Sequence, residues 1–321
     1  MNISLSELLN GKKSVALGGH IRPDGDCVGS CMGLYLYLRE QYPQIETDVY
    51  LEYIPQSYRF IRNTEDVRSE IRPGQVYDLF ICLDCGDEER LGFSAPLFAD
   101  ALQTCCIDHH ASNRSFADYN EIVADASSTS ELVYHLLDKE KISRSCAEAL
   151  YMGIAHDTGV FRYSCTRPET MEAAAELLRK GINGSEIIEK TFYEKTYVQN
   201  QIMGRALLES ILFLHGRCIV SAVDRKLMQF YHAEPQDLDG IASLLKNTRG
   251  VECAIFMYET DVMQYKVSMR STDKVDVAKI ASYFGGGGHK KAAGCSMSGT
   301  FHDVVNNLSL HIEKQLHEED E

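Results

Sequence analysis

Four short apolar segments limit the folds that this chain can adopt. They occupy residues 14–18, 46–53, 77–83 and 103–107 and are rich in β-branched and aromatic side chains, which is typical of buried strands. Helical patterns separate them, as at residues 27–41. Because strands that alternate with helices form parallel sheets covered on both faces, we predict an α/β fold with a mostly parallel sheet.

The next part of the chain predicts helices. SSTSEL, residues 127–132, has the pattern of a capping box and opens a helix that extends to about Lys139. A second helix is predicted from about Arg144 to Ala155, and further helices extend to about residue 210. We regard the capping box as a structural feature of its helix.

From residue 211 the pattern changes to short strands. ILFLHGRCIVSAV predicts a hairpin that turns at His215–Gly216, and two more strands are predicted at 251–259 and 263–269. A helix at 275–284 then precedes GGGGH. A length of 321 residues is enough for two domains with separate cores.

Charge and composition exclude several classes of function. A net charge of −15 argues against binding to long duplex nucleic acid, which needs lysine and arginine at many phosphates. No segment approaches the ~20 apolar residues of a membrane span. Eleven cysteines without an export signal favour a reducing, cytoplasmic environment. Cys82 and Cys85 form a CxxC pair, but we expect them on opposite faces of a strand and predict no zinc site there.

Polar residues follow the predicted strands at the points where the strands end. Taken singly, an aspartate there could cap a helix and a histidine could be a hydrogen-bonded core residue. Carboxyl ends of parallel strands meet at one edge of a sheet, however, so we expect these groups to converge in one crevice. They are His20, Asp24 and Asp26 after the first strand, Asp84 after the third, Asp108, His109 and His110 after the fourth, and Asp157 after the helix that is predicted to end at Ala155.

The convergence of several carboxylates predicts a pair of cations. Asp24, Asp26, Asp84 and Asp157 carry four negative charges, which two divalent ions would balance. Carboxylates and imidazoles without thiolate suit Mn²⁺ and, less well, Mg²⁺. A single carboxylate that bridged the ions would hold them ~3.5–4 Å apart, a spacing used for displacement at phosphorus.

The order and spacing of these residues resemble the motifs of the DHH phosphoesterase superfamily. GGGGHKKAAG, residues 285–294, together with Arg270 and Ser271, resembles the DHHA1 substrate domain. The two in this order resemble bacterial bifunctional oligoribonuclease/pAp phosphatases, or nanoRNases. The resemblance implies a five-stranded DHH domain over residues 1–185, a helical linker over 186–210, an α/β DHHA1 domain over 211–321, and an active site in the cleft between the domains.

The resemblance also implies roles for individual residues. Asp84 would bridge two metal ions, and Asp108 would orient a histidine. The catalytic residues would be Asp84, Asp108, His109 and His110. The ligands of the first ion would be His20, Asp24 and Asp84, and those of the second Asp26, Asp84, His109 and Asp157. At His156 relatives commonly have threonine, and this histidine either packs or modulates metal affinity.

The second domain would bind substrate phosphate. Consecutive glycines allow an anion-binding nest of backbone N–H groups, although a glycine run could also be only a flexible loop that closes a helix. Arg270 offers a planar, always charged group for two phosphate oxygens. The residues expected to contact substrate are His110, Arg270, Ser271, Gly286, Gly287, Gly288 and His289.

The expected function is hydrolysis of very short oligoribonucleotides and of 3′,5′-bisphosphorylated adenosine (pAp) by a hydroxide held between two Mn²⁺ ions. The alternatives are a phosphodiesterase for cyclic or linear dinucleotides, a pyrophosphatase or polyphosphatase, and a non-catalytic nucleotide-binding module. The sequence leaves the oligomeric state open, a homodimer included.

Overall fold

The computed structural model describes the protein from residue 4 to residue 320. The chain divides into two compact units, one that ends at Glu194 and one that begins at Lys195. Each unit contains its own sheet and its own hydrophobic cores. Between residues 4 and 320, no helix is both long enough and apolar enough to cross a lipid bilayer.

The sheet of the first unit has five strands, all parallel, in the order β2-β1-β3-β4-β5. This confirms the predicted mostly parallel sheet. The fifth strand has no counterpart among the four apolar segments of the sequence. The strands are β1 (Ser14–Gly18), β2 (Glu46–Tyr50), β3 (Leu79–Leu83), β4 (Thr104–Asp108) and β5 (Tyr119–Ile122).

Helices accompany this sheet, and two of their ends differ from the prediction. The helix after the capping box ends at Leu136 and not near Lys139, whereas the next helix continues past Ala155 to Asp157. The helices are α1 (Leu5–Leu8), α2 (Gly25–Gln41), α3 (Ala95–Ala99), α4 (Thr129–Leu136), α5 (Arg144–Asp157), α6 (Pro168–Arg179) and α7 (Gly184–Ile188).

Both faces of the sheet are covered, which explains the continuous apolar runs. In β3 every residue is buried, and alternate residues enter different cores. Leu79 and Ile81 face the larger core, while Phe80 and Cys82 face the smaller one. A strand buried on both faces needs apolar side chains at every position, so the sequence shows no alternation of polar and apolar residues.

The expectation that Cys82 and Cys85 face opposite sides of the sheet was wrong. Both thiols lie in the smaller core, together with Cys106. The reason is that β3 ends at Leu83, and Asp84 adopts a left-handed backbone conformation with φ of 59°. The alternation of a strand therefore stops before Cys85, and all three cysteines are free and buried.

The second unit is an α/β unit with a six-stranded mixed sheet in the order β10-β11-β9-β8-β7-β6. All neighbours are antiparallel except β7 and β8. The predicted hairpin is present as β6 and β7. The strands are β6 (Ile211–Phe213), β7 (Cys218–Val223), β8 (Cys253–Asp261), β9 (Gln264–Ser271), β10 (Gly287–His289) and β11 (Ala292–Ser298), and the helices are α8 (Tyr197–Leu208), α9 (Arg225–Tyr231), α10 (Ile241–Lys246), α11 (Val277–Tyr283) and α12 (Phe301–Asp320).

Candidate metal centre

The polar residues that follow the strands of the first unit lie at one edge of its sheet. His20 comes two residues after β1, Asp84 directly after β3, and Asp108 is the last residue of β4. Since β1, β3 and β4 are adjacent and parallel, their carboxyl ends lie side by side. Asp157 is brought to the same place differently, because it is the last residue of α5 and does not follow that helix as the sequence suggested.

Asp84 lies between two histidines. Its Oδ2 is 3.4 Å from His20 Nε2, and its Oδ1 is 3.6 Å from His109 Nε2. The residue is only 2% exposed, and its left-handed backbone turns the chain sharply as it leaves β3. Aspartate tolerates this conformation better than most residues with a Cβ. The carboxylate can therefore face both histidines at once.

His20 and Asp24 form one side of the cluster with Asp84. His20 Nδ1 is 2.8 Å from the carbonyl oxygen of Ile21, a contact that favours the tautomer with hydrogen on Nδ1. His20 Nε2 then faces the carboxylates, at 3.7 Å from Asp24 Oδ1 and 3.4 Å from Asp84 Oδ2. A cation held by these three side chains would meet one nitrogen and two oxygens.

Asp26, His109 and Asp157 form the other side. His109 Nε2 is 3.4 Å from Asp157 Oδ2 and 4.0 Å from Asp26 Oδ2. One ligand atom from each of these three residues lies within 4.8 Å of the others. Asp26 is 1% exposed, so bulk water cannot solvate its charge.

The pKa shifts of these groups reflect an excess of buried negative charge. Burial and the charges of Asp84 and Asp157 raise the pKa of Asp26 well above its usual range. Burial also raises the pKa of Asp157, to about 6. Burial alone lowers the pKa of a histidine, but hydrogen bonds to Asp24 and Asp84 raise that of His20 to about 11. Bound protons reduce the negative charge of this cluster. Divalent cations would also reduce it, and the nitrogen and oxygen donors suit such ions.

Asp108 does not join this cluster but holds the second histidine of the pair. Its Oδ1 lies 2.6 Å from His110 Nδ1 and accepts the backbone N–H of His109 at 2.9 Å. Asn113 Nδ2 donates to its Oδ2 at 2.8 Å. Asp108 is fully buried, and both of its oxygens are engaged by the protein. The ring of His110 is thereby fixed beside Asp84, with Nδ1 3.8 Å from Asp84 Oδ1.

The amino end of α4 contributes contacts that the sequence did not predict. Backbone N–H groups of Thr129 and Ser130 donate to the two oxygens of Asp26 at 2.7 and 2.9 Å. The Thr129 hydroxyl donates to Asp84 Oδ1 at 3.1 Å. The capping box is only half formed, because Glu131 Oε2 accepts from Ser127 and Thr170 instead of the cap backbone. The helix end stabilises a buried carboxylate 103 residues away in sequence.

A face of small residues brings α2 against α5 and sets the position of Asp26 relative to Asp157. Gly25, Gly29 and Gly33 recur every four residues and so lie on one face of α2. A methyl group at Gly29 would lie 2.7 Å from the Ala149 carbonyl oxygen, and one at Gly33 would meet Leu150 at 2.4 Å. The two helices touch through their backbones. This spacing is visible in the sequence and was the available signal for the contact.

His156 packs beside the centre and is not brought into the cluster. Its ring makes edge contacts with Tyr58 and Phe192, and its Nε2 lies 2.9 Å from Thr191 Oγ1. A methyl group at Gly25 would lie 2.2 Å from the ring. The glycine at this position therefore makes room for the histidine.

The second unit places Arg270 and His289 on one face of its sheet. Both lie directly opposite Ala292, Arg270 across the β9–β11 pair and His289 across the β10–β11 pair. Side chains opposite each other in a sheet share a face, so the Arg270 guanidinium and the His289 imidazole are separated by one strand. Arg270 is half-buried. Burial of Asp239 raises the pKa of that carboxyl, and the positive charge of Arg270 acts in the opposite direction.

Part of the glycine run is a strand and not the flexible loop that was the alternative to the predicted anion-binding nest. Gly287 and Gly288 belong to the edge strand β10, which pairs with β11. Gly286 and Gly288 approach their neighbours closely, since a methyl group would lie 2.2 Å from the Gly294 oxygen at one and 2.4 Å from the Ala292 oxygen at the other. Ser271 is buried, and its hydroxyl donates to the Val275 carbonyl at 2.6 Å.

The two parts of the chain match two known domains. The DHH family, N-terminal domain, matches residues 14–154, and the DHHA1 domain matches residues 216–318. The chain therefore carries a DHH domain followed by a DHHA1 domain. These two domains and the relatives described below identify the protein as a hydrolytic phosphoesterase. DHH phosphoesterases depend on metal ions, and the cluster around Asp84 supplies suitable groups.

Relatives of this DHH protein match it over most of their length. A bifunctional oligoribonuclease and PAP phosphatase NrnA from Thermus thermophilus is 29% identical over 292 residues, which cover 89% of this chain and 84% of the relative. The protein of the same name from Bacillus subtilis is 27% identical, with 88% and 89% covered. An exopolyphosphatase-related protein from Bacteroides fragilis has the same fold, with a TM-score of 0.90, 24% identity, and 98% and 96% covered.

Proposed function

We propose that this DHH protein is a Mn²⁺-dependent phosphohydrolase that degrades very short oligoribonucleotides to mononucleotides and converts pAp to AMP. The observation that carries the proposal is the position of the Asp84 carboxylate, with one oxygen toward His20 and the other toward His109. Relatives that match most of the chain are named for these two activities.

Six residues are proposed to hold two cations. His20, Asp24 and Asp84 would hold the first, and Asp26, Asp84, His109 and Asp157 would hold the second. These ligands offer only carboxylate oxygen and imidazole nitrogen, the donors that suit Mn²⁺ and, to a lesser degree, Mg²⁺. A pair of divalent cations, when bound, supplies positive charge for a phosphate group and activates water for attack at phosphorus.

Besides the cation ligands, two side chains are proposed to act at the reacting phosphate, His110 as a donor and Asp108 as the group that positions it. Asp108 holds His110 through a contact of 2.6 Å to Nδ1. The other ring nitrogen, Nε2, could donate a hydrogen bond or a proton to a phosphate oxygen. Asp108 fixes the ring because Asn113 and the backbone of His109 hold its own carboxylate. The negative charge of Asp108 favours the protonated imidazole and raises the pKa of His110 against the effect of burial.

The second unit is proposed to bind the part of the substrate that is not cleaved. Arg270 and His289 share a sheet face, and the glycines that precede His289, Gly286, Gly287 and Gly288, have no side chains that could block a phosphate. Ser271 remains a proposed contact of the substrate, although its hydroxyl donates to the Val275 carbonyl oxygen and its backbone N–H to the Lys291 carbonyl oxygen. A terminal phosphate or nucleotide is the ligand that such a surface suits.

The net charge of −15 favours short substrates. Each added nucleotide brings another phosphate, and affinity grows with length only where additional cationic groups receive those phosphates. We expect hydrolysis to slow as oligoribonucleotides lengthen beyond roughly five nucleotides, and the salt dependence of kcat/KM to be shallow because few phosphates are contacted.

A substrate panel tests this proposal. Purified protein with Mn²⁺ is given pAp, 5′-labelled RNAs from two to 24 nucleotides, cyclic di-AMP and polyphosphate at matched enzyme concentration, at several salt concentrations. We expect release of AMP from pAp and of mononucleotides from the shortest RNAs. Hydrolysis confined to cyclic di-AMP or polyphosphate, or processive degradation of the 24-nucleotide RNA, would contradict the proposal.

A further inference from the structure

A thiol lies next to the first of the two candidate cation positions. Cys27 is the third residue of α2 and is fully buried. Ligand atoms of His20, Cys27 and Asp84 all lie within 4.8 Å of one another. The backbone N–H of Cys27 donates to Asp24 Oδ1 at 3.1 Å, so the residue is tied to a third member of that position.

The surroundings of Cys27 leave space for its sulfur beside the end of β1. A methyl group at Gly19 would lie 2.3 Å from Cys27 Sγ, so the glycine at that position makes room for the thiol. The thiol makes a long contact, 3.9 Å, to the His20 carbonyl oxygen and lies beside the Cys31 thiol. The polar side chains of His20 and Asp84, which lie close to the Cys27 thiol, are also buried.

Together these groups offer the donors of a zinc site. His20 contributes nitrogen, Asp24 and Asp84 contribute oxygen, and Cys27 contributes sulfur. Zn²⁺ takes four ligands of these kinds in tetrahedral geometry, and thiolate selects thiophilic cations over Mn²⁺. The thiol proton would be released when such an ion binds, because the thiolate is the ligand.

We propose that Cys27 is a ligand for thiophilic divalent cations, Zn²⁺ and Cd²⁺, at the position formed by His20, Asp24 and Asp84. The inference rests on the proposed cation position at His20 and adds a property to it. The protein would discriminate between metals at this position through one sulfur atom. Zn²⁺ bound there would draw Cys27 into a four-ligand set and displace Mn²⁺.

Cadmium titration of metal-free protein tests the inference directly. Thiolate bound to Cd²⁺ gives an ultraviolet charge-transfer band that neither carboxylate nor imidazole produces. We expect the band in the wild-type protein and its loss in Cys27→Ala and Cys27→Ser, the serine keeping nearly the size of the thiol. The matched control is Cys31→Ala, which removes another fully buried thiol one helical turn further along α2 and should keep the band.

Zinc measurements provide the second readout. By competition with a chromogenic chelator, Zn²⁺ affinity should fall at least about tenfold in Cys27→Ala relative to Cys31→Ala, as expected for loss of a metal-binding group. The ratio of Zn²⁺ to Mn²⁺ affinity should fall with it. X-ray absorption at the zinc edge should show one Zn–S distance of about 2.3 Å in the wild type and none in Cys27→Ser.

Several outcomes would overturn the inference. They are a cadmium band of wild-type size in Cys27→Ser, no band in the wild type, or equal loss of the band in Cys31→Ala. None of these depends on a substrate, whereas the proposed function is judged by Mn²⁺-dependent hydrolysis of pAp by the wild type and Cys31→Ala. Failure of one proposal can therefore be told from failure of the other.

Discussion

The two units hold their charged groups in opposite ways. In the first, Asp84 and Asp26 are 2% and 1% exposed, and backbone N–H groups of α4 fix the Asp26 carboxylate. In the second, Arg270 and His289 lie on a sheet face close to an edge strand, and His289 is exposed. Buried groups of the first kind suit ions that remain bound through many turnovers. More accessible groups of the second kind suit a substrate that binds and dissociates in each turnover.

Asp84→Ala should break the buried half of this comparison completely. The substitution removes the carboxylate that faces both histidines, so both proposed cation positions lose a ligand. We expect hydrolysis of every phosphate ester to fall to background and manganese content, measured by mass spectrometry, to fall with it. Circular dichroism should show a folded protein, because removal of one crowded charge offsets the strain of alanine in the left-handed conformation of residue 84.

Asp100→Ala is the control, since Asp100 is an exposed aspartate of the same unit. It should keep both activity and bound metal. Near-normal turnover of Asp84→Ala with Mn²⁺ would contradict the bridging role.

Asp108→Asn should have a smaller effect on the same site. Asp108 holds His110 and lies outside the cation cluster, and loss of such a supporting group typically costs ~10–100-fold in activity. Manganese content should be unchanged. Loss of bound metal, or inactivity equal to that of Asp84→Ala, would place Asp108 among the cation ligands.

Arg270→Ala should sharpen the comparison from the side of the second unit. A charge-assisted hydrogen bond contributes ~1.5–3 kcal/mol, so KM for pAp should rise at least about tenfold while kcat and manganese content change little. A p-nitrophenyl phosphodiester, which lacks a second phosphate, should be affected less. His289→Ala is expected to act in the same direction. Equal losses on both substrates would refute the division of labour.

A pair of glycine substitutions compares how tightly the two units are packed. Gly29→Ala forces a methyl group to 2.7 Å from a backbone oxygen and should destabilise the protein by ~1–3 kcal/mol. Gly204→Ala in α8 meets nothing within 4 Å and should stabilise by ~0.5–1 kcal/mol. Denaturant unfolding measures both, and a destabilising Gly204→Ala would contradict this account of helix packing.

Much of the first unit followed from the sequence because parallel strands bring their ends together. His20, Asp84 and Asp108 could be placed at one edge from the apolar runs before them. The left-handed backbone of Asp84 could not be predicted from these runs. Because this conformation ends the alternation of the strand, the predicted side of the sheet for Cys85 was wrong. The N–H groups of Thr129 and Ser130 reach Asp26 only through the tertiary fold.

The second unit was harder to predict at its edge. Glycine is depleted in strands, so GGGGH suggested a loop, whereas Gly287–His289 is held as a strand by pairing with β11. The placement of Arg270 and His289 opposite Ala292 depends on register across three strands. Register is set by packing over the whole sheet, which no local pattern in the sequence records.

The glycine face of α2 has a consequence for ionic size. Because the backbones of α2 and α5 touch at Gly29, the main chains that carry Asp26 and Asp157 cannot come closer together, and the N–H groups of Thr129 and Ser130 hold the Asp26 side chain. Ca²⁺ requires longer bonds and more ligands than Mg²⁺, about 2.3–2.6 Å against about 2.0–2.1 Å. If the second proposed cation is held there, a carboxylate fixed in this way would favour the shorter bonds of Mg²⁺ or Mn²⁺, and Ca²⁺ would bind only with a shift of the surrounding chain.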